Sequence, residues 1–215
     1  MKKLVIIGGH GNGTVVASTV EDINSKEPTW KIIGFLNDDK ESSINGYPVI
    51  GGIDKNLIDE LIKEDDLYFY WSLISVKLNH TFISRLEELE IPEDRFATII
   101  HPTAVIAQNA QLGYGVSIHP FVNIGTNVIV GNHIHIFAQA MVGHGAKLEN
   151  YSYVANNASI GAHVTLKKGA YLGTNATTLE NISLGEWSVV GLGSAVLNDV
   201  DDYSTFVGNP ARKIK

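Results

Sequence analysis

The chain has 215 residues, a formal net charge of −7 and no cysteine. That length suits one large or two small domains. Without cysteine there is no disulfide, thiolate metal site or cysteine nucleophile, and scattered basic residues in an acidic chain leave no basic stripe for a nucleic acid. The apolar run Leu4-Val5-Ile6-Ile7 is too short for a signal-peptide core and is broken at once by glycine. No stretch reaches the ~20 apolar residues of a membrane span. These features predict a soluble, cytoplasmic protein.

The first hundred residues alternate between strand and helix patterns. Residues 3–7 read as a strand that runs into Gly8-Gly9-His10-Gly11-Asn12-Gly13 and then a helix over 14–24. A second strand over 31–36 closes in Asn37-Asp38-Asp39, followed by Lys40. Asn45-Gly46-Tyr47-Pro48 is turn chemistry. Asp54 caps a helix carrying Leu57, Ile58, Leu61 and Ile62. A third strand is expected over 67–72, a helix over 78–90 and a fourth strand over 96–100. Such alternation implies a small Rossmann-like parallel sheet. The glycine spacing differs from G-x-G-x-x-G, which disfavours NAD. A strand, then glycines, then a helix start still lets backbone approach a phosphate at a positive helix end. The other reading is a tight turn with no ligand. Asn37 and Asp38 stand where a ribose or base would be met, whereas Asp39 and Lys40 read as solvated turn residues.

From Ile106 to Val196 the period changes to six. Every sixth residue is a large aliphatic except Thr178, and four residues after each lead comes a small or β-branched side chain. Neither helical nor alternating strand periods explain this. Hexapeptide repeats mark a parallel β-helix whose coils bury their apolar faces against each other. With three hexads per coil, residues eighteen apart stack in columns ~4.8 Å apart, for roughly five coils. Glycines one after the lead, such as Gly125, Gly143 and Gly161, suit corners that need permissive backbone angles. We place the boundary at His101-Pro102, with residues 1–101 and 102–215 as the two domains.

The whole chain resembles the hexapeptide-repeat sugar N-acetyltransferases of the bacillosamine and sialic-acid pathways. The likeness is carried by Ile6-Ile7-Gly8-Gly9-His10-Gly11, Gly34-Phe35-Leu36-Asn37-Asp38, Ile100-His101-Pro102-Thr103-Ala104, Val142-Gly143-His144 and Val207-Gly208-Asn209-Pro210-Ala211-Arg212. The resemblance implies a Rossmann-like domain followed by a left-handed parallel β-helix. It also implies a homotrimer, an active site between neighbouring prisms, and transfer of acetyl from acetyl-CoA to a nucleotide-linked amino sugar. It places the catalytic base at His144. The family's usual Glu or Asp after that histidine is Gly145 here, its second histidine aligns with Tyr153, and its Gly-Asn or Gly-Asp after the third strand is Ser72-Leu73. By the same likeness acetyl-CoA reaches the tail at Gly208 and Pro210, while the glycine loop and strand ends, with Gly8, Gly9, His10, Gly11, Asn37, Asp38 and Ser72, are expected to face the sugar nucleotide.

Amide formation from a thioester needs a proton acceptor and donors for the developing oxyanion. Histidine, with an unperturbed pKa near ~6.5, accepts a proton around neutrality. The column neighbour of His144 is Ala162; its N–H and the small Gly161 leave room for a thioester carbonyl. Without cysteine, direct transfer is simpler than an acyl-enzyme. Among the other histidines, His80 reads as helix surface and His101 as part of the domain junction. His119, His133 and His163 are expected on prism faces or corners as trimer contacts. His133-x-His135 is a weak metal signal, because no carboxylate or thiolate set accompanies it. A polar–aromatic ladder of His135, Tyr153 and Tyr171 fits better, on flat faces that also carry His119, Phe121 and Phe137. Two readings stand beside N-acetylation: transfer of acetyl or another short acyl group to a sugar hydroxyl, and a non-catalytic trimeric nucleotide-sugar-binding module.

Overall fold

The computed structural model describes residues 1–39, 41–76 and 79–215; Lys40 and Leu78, the expected start of the third helix, lie outside them. The chain divides into two units, Met1–Ile99 and Ile100–Lys215.

In the first unit, β1 (Lys2–Ile7), α1 (Asn12–Lys26), β2 (Trp30–Leu36), β3 (Ser43–Ile44), β4 (Tyr47–Gly51), α2 (Lys55–Leu61), β5 (Leu67–Trp71) and α3 (Asn79–Glu88) follow in order. The sheet runs β3-β4-β2-β1-β5. Strand β1 is parallel to β2 and β5, so their buried apolar runs lie at its centre. Helix α1 packs Val16, Ala17 and Val20 onto Leu4, Ile6, Phe35 and Tyr70. Asn45 and Gly46, at φ 50° and 80°, form a two-residue hairpin turn joining β3 to β4 in an antiparallel pair. That turn chemistry therefore joins two strands the sequence reading did not foresee. Asp54 does cap α2, accepting the Leu57 N–H at 3.2 Å. The expected strand over 96–100 does not form as one element. Phe96 makes a single bridge to Phe69, and the pair Ile99–Ile100 already follows the six-residue spacing, so the His101 N–H donates to the Ile118 carbonyl.

The second unit is a left-handed parallel β-helix. Sixteen two-residue strands run from Val105–Ile106 to Ala195–Val196. They pair in parallel eighteen residues apart, as in Ile106 with Ile124 and Ile124 with Val142. The leads and the small residues four places on fill one continuous interior. Its C-terminal end is covered by Thr205–Val207 and the antiparallel Arg212–Lys213. Ala195 donates to the Gly208 carbonyl and accepts from Ala211 N–H, at 3.0 and 2.8 Å, so the tail supplies the last coil's missing partners.

The β-helix departs from the sequence pattern in two respects. Positive φ falls three residues after the lead at fourteen consecutive hexads from Gly115 to Gly193, mostly on Asn, His or aromatic residues. None of the glycines one after the lead has it; they are required by space. A Cβ on Gly143 would lie 2.7 Å from the Ala162 nitrogen, and one on Gly161 2.8 Å from that of Glu180. Second, His119, His133, His135 and Phe137 are not exposed trimer faces: they are buried in the single chain, at 1, 4, 4 and 7% exposure. The rings cover one another, His119 on Phe137 at 4.6 Å, His133 on Tyr151 at 5.3 Å and Tyr153 on Tyr171 at 4.7 Å. Phe121 alone of the expected face stands fully out.

Candidate functional site

Each unit carries part of the predicted residue set. At the end of β1 the chain turns through Gly8, at φ 123°, and α1 starts after Gly11, at φ 76°, with no side chain capping its first turn. The backbone amides of that turn are therefore left for another acceptor. Gly8 lies against the Ser72 hydroxyl, which donates to the Ile7 carbonyl at 2.9 Å. A Cβ on Gly9 would come 2.8 Å from the Asn37 amide nitrogen, and nothing approaches Gly11 within 4 Å. Gly8, Gly9, Asn37 and Ser72 thus meet at the C-terminal end of the parallel strands, where such sheets bind ligands.

His10 and Asp38 are placed differently from that group. His10 is exposed, its Nε2 2.8 Å from a Glu41 carboxylate oxygen. Asp38 accepts the Ile53 N–H at 2.9 Å and pairs with the Arg85 guanidinium at 2.7 Å, while Arg85 donates to the Ile53 carbonyl at 3.0 Å. The Arg85 contact, helped by the Ile53 N–H against some burial, holds the Asp38 carboxyl below its ordinary range. Asp38 is consequently an anchor for the loop after β2. Arg85 and Glu41 escaped the sequence reading because both are long-range partners with no local motif.

In the β-helix, His144 stands exposed at the corner after the strand Met141–Val142. Its ring meets that of His163 edge to face, with centroids 5.0 Å apart and planes at 86°. The His163 ring fills the place where a side chain at Gly145 would begin, and Gly145 has φ 67°. Beside them the ladder is broken. Strand Met141–Val142 pairs with Ser159–Ile160 through both residues, but Ser159–Ile160 pairs with Thr177–Thr178 through Ser159 and Thr177 alone. Gly161 N–H donates to the Thr178 hydroxyl at 2.9 Å. The next amide, Ala162 N–H, meets no acceptor among the described residues. The one lead that is not aliphatic therefore bonds to the coil that lies next to the predicted histidine.

The remaining predicted residues are not gathered there by a single chain. Tyr153 lies on another sheet, in the column Ser117, His135, Tyr153, Tyr171. Burial, with Tyr171 adding, pushes its hydroxyl well above the ordinary range. His135 takes a 3.1 Å hydrogen bond with Ser117, so it and His133 belong to separate stacks. Gly208 and Pro210 lie at the far end, about 14 Å from the His144 coil if three ~4.8 Å spacings are counted.

The PglD N-terminal domain family matches residues 3–70, and the GMPPB C-terminal domain family matches residues 96–198. UDP-N-acetylbacillosamine N-acetyltransferase of Bacillus subtilis is 31% identical over 115 residues, 54% of this chain and 50% of that protein. The chain is thus similar to a sugar N-acetyltransferase over part of its length, and each family model covers less than half of it. The chain spans about half the length of that curated relative. Solved structures share the fold across the whole chain. The acetyltransferase domain of PglB from Neisseria gonorrhoeae, in complex with acetyl coenzyme A, superposes with a TM-score of 0.85 at 22% identity, covering 99% of both chains. A mutant of perosamine N-acetyltransferase from Caulobacter crescentus, in complex with CoA and GDP-perosamine, gives 0.86 at 22% identity over 100% and 98%. WeeI from Acinetobacter baumannii gives 0.81 at 22% identity over 99% and 100%.

Proposed function

We propose that this protein is a hexapeptide-repeat sugar N-acetyltransferase of the cytoplasm, using acetyl-CoA and working as a homotrimer on a nucleotide-linked amino sugar. The observation that carries the reading is the constellation at one β-helix corner: an exposed imidazole, small residues around it, and an amide that meets no acceptor among the described residues. The amine nitrogen attacks the thioester carbonyl carbon, so a C–N bond forms and the C–S bond breaks. His144 takes the proton from the amine and returns it to the departing CoA thiolate. Ala162 N–H, with Gly161 giving room, faces the oxygen on which negative charge develops. Gly8, Gly9, Gly11, Asn37 and Ser72 hold the nucleotide, with Asp38 shaping their loop. Acetyl-CoA runs from His144 past Tyr153 of a neighbouring protomer towards Gly208 and Pro210. Holding both substrates in register supplies much of the rate.

The test is incubation with acetyl-CoA and a panel of UDP-, dTDP- and GDP-linked amino sugars, monitored for free thiol. Thiol release with an amine, none with its hydroxyl analogue, and a loss of about two to four decades in kcat for His144→Ala are expected. Release with the hydroxyl compound alone makes the enzyme an O-acyltransferase. Ligand binding without release makes it a binding module. A monomeric mass by light scattering overturns the trimer, and with it any inter-protomer site.

A further inference from the structure

We infer that His163 is the positioning residue for His144, standing where a side chain on Gly145 would otherwise have oriented it. The inference rests on His144 being the base in the reading above. A general base works best when a third group fixes its ring. The residue next to His144 has no side chain, so no orienting group comes from there. The space is instead filled from the following coil. His163 is eighteen residues beyond Gly145 and therefore in its column, and its ring lies against the Gly145 Cα where a Cβ would be. The same ring meets the His144 ring edge to face at 5.0 Å. A further tie runs through the backbone, His163 N–H donating to the His144 carbonyl at 2.9 Å.

Three consequences follow from that geometry. The backbone bond and the φ of 57° at His163 fix where its side chain leaves the coil. The edge-to-face contact limits the rotamers open to His144. The same contact limits how far the His144 ring can turn as it takes the amine proton. The contribution depends on a ring at position 163 and does not need its nitrogen atoms. It also explains why glycine stands at 145: any side chain there would compete with the His163 ring for one space.

The experiment compares the full-length variants His163→Ala, His163→Phe and His163→Ala/Gly145→Glu, each first checked for an unchanged melting temperature and mass. For His163→Ala we expect kcat to fall about 10- to 100-fold with both KM values held near wild type, the scale of a misplaced catalytic group. His163→Phe keeps kcat within about threefold, since the ring contact survives. In the double variant the new carboxylate has the vacated space beside His144 and recovers at least part of the lost kcat. Unchanged kcat in His163→Ala, or a Phe variant as impaired as the Ala variant, overturns the inference. An independent readout is the His144 side chain by NMR with labelled histidine: one rotamer in wild type, averaging among rotamers in His163→Ala. If the His144 rotamer distribution is the same in both, the inference fails whether or not any sugar is acetylated. If wild type shows the rotamer effect but releases no thiol with any amine, the functional reading fails and the pairing stands.

Discussion

The Thr178 hydroxyl accepts the Gly161 N–H at 2.9 Å, where the equivalent amides in the coils on either side donate to a main-chain carbonyl. Gly143 N–H goes to the Ile160 carbonyl, Ala155 to Leu172, Lys167 to Leu184 and Leu179 to Val196. A threonine in a column of aliphatic leads thus takes the Gly161 N–H out of the main-chain ladder, at the start of the segment Gly161-Ala162-His163 that follows His144 by one coil.

Thr178→Val tests that link. Valine has the shape of the other leads but no acceptor, so Gly161 N–H reverts to the carbonyl ladder and carries Ala162 N–H with it. The melting temperature should hold or rise, because an interior column becomes uniformly apolar. The value of kcat should fall roughly 10- to 100-fold, the scale of an ångström-sized misplacement. A variant with full activity would show that the broken ladder is unrelated to catalysis.

The two kinds of glycine in the β-helix give a second comparison. Gly193 sits at a corner with φ 65° and has open space where a Cβ would go, whereas a Cβ on Gly143 meets backbone of the next coil at 2.7 Å. Gly193→Ala should cost the left-handed backbone penalty of about 1–2 kcal/mol. Gly143→Ala carries no such penalty but meets main chain on several sides that cannot rotate away, which puts it at the upper end of the ~1–3 kcal/mol that overpacking costs. Denaturant melts should therefore rank Gly143→Ala as the worse of the two. The reverse order would restore backbone angle as the reason for the glycines after each lead.

How much was legible follows from the range of each interaction. The six-residue period exposed the β-helix because every coil repeats one local pattern from Ile106 to Val196. The same period hid the difference between Gly143 and Gly145, since crowding is set eighteen residues away. His144 could be picked out by its resemblance and its small neighbours. The hydroxyl acceptor at Thr178 could have been suspected, as the single polar lead. The Asp38–Arg85 pair had no such signal, because residues 47 apart in sequence meet only once the sheet and α3 are folded. Burial of His119 and His135 was missed for a related reason: a strand position eighteen residues from another polar ring reads as surface until the rings are seen to cover each other.

Those buried imidazoles set a pH dependence. Burial, with His101 adding, lowers His119 to about 4, and burial together with His119 and His133 holds His135 well below its ordinary value. Both stay neutral in the folded protein at pH values where an unfolded histidine, near ~6.5, is taking up protons. Their stabilising contribution is therefore complete above ~6.5 and is lost as pH falls towards 4. For His119 alone the loss approaches about 3 kcal/mol once folded and unfolded forms are both titrated. Urea midpoints should drop between pH 7.5 and pH 5, and His119→Phe, which keeps the stack on Phe137, should flatten the slope. Equal midpoints at the two pH values would sink the assignment.

Asn37 and Asp38 are adjacent, yet the structure separates their duties. The Asn37 side chain lies over Gly9 in the glycine turn, while both Asp38 oxygens are engaged by Arg85 and the Ile53 N–H. Asp38→Ala should therefore appear first as lost stability. An exposed ion pair is worth up to ~1 kcal/mol and the hydrogen bond to Ile53 about as much again, so ~1–2 kcal/mol is expected. Asn37→Ala removes a polar side chain with one 3.5 Å contact to Asp39, so it should leave the melting temperature close to wild type. Its effect should fall on the nucleotide, as a roughly tenfold weaker binding, the scale of one lost polar contact to a ligand. Acetyl-CoA binding should be unaffected in both variants. Calorimetric titration with UDP, dTDP and GDP, beside thermal melts, separates the outcomes. If Asn37→Ala binds all three as wild type does while Asp38→Ala loses binding at full stability, the ligand contact belongs to Asp38, and Arg85 serves to present it.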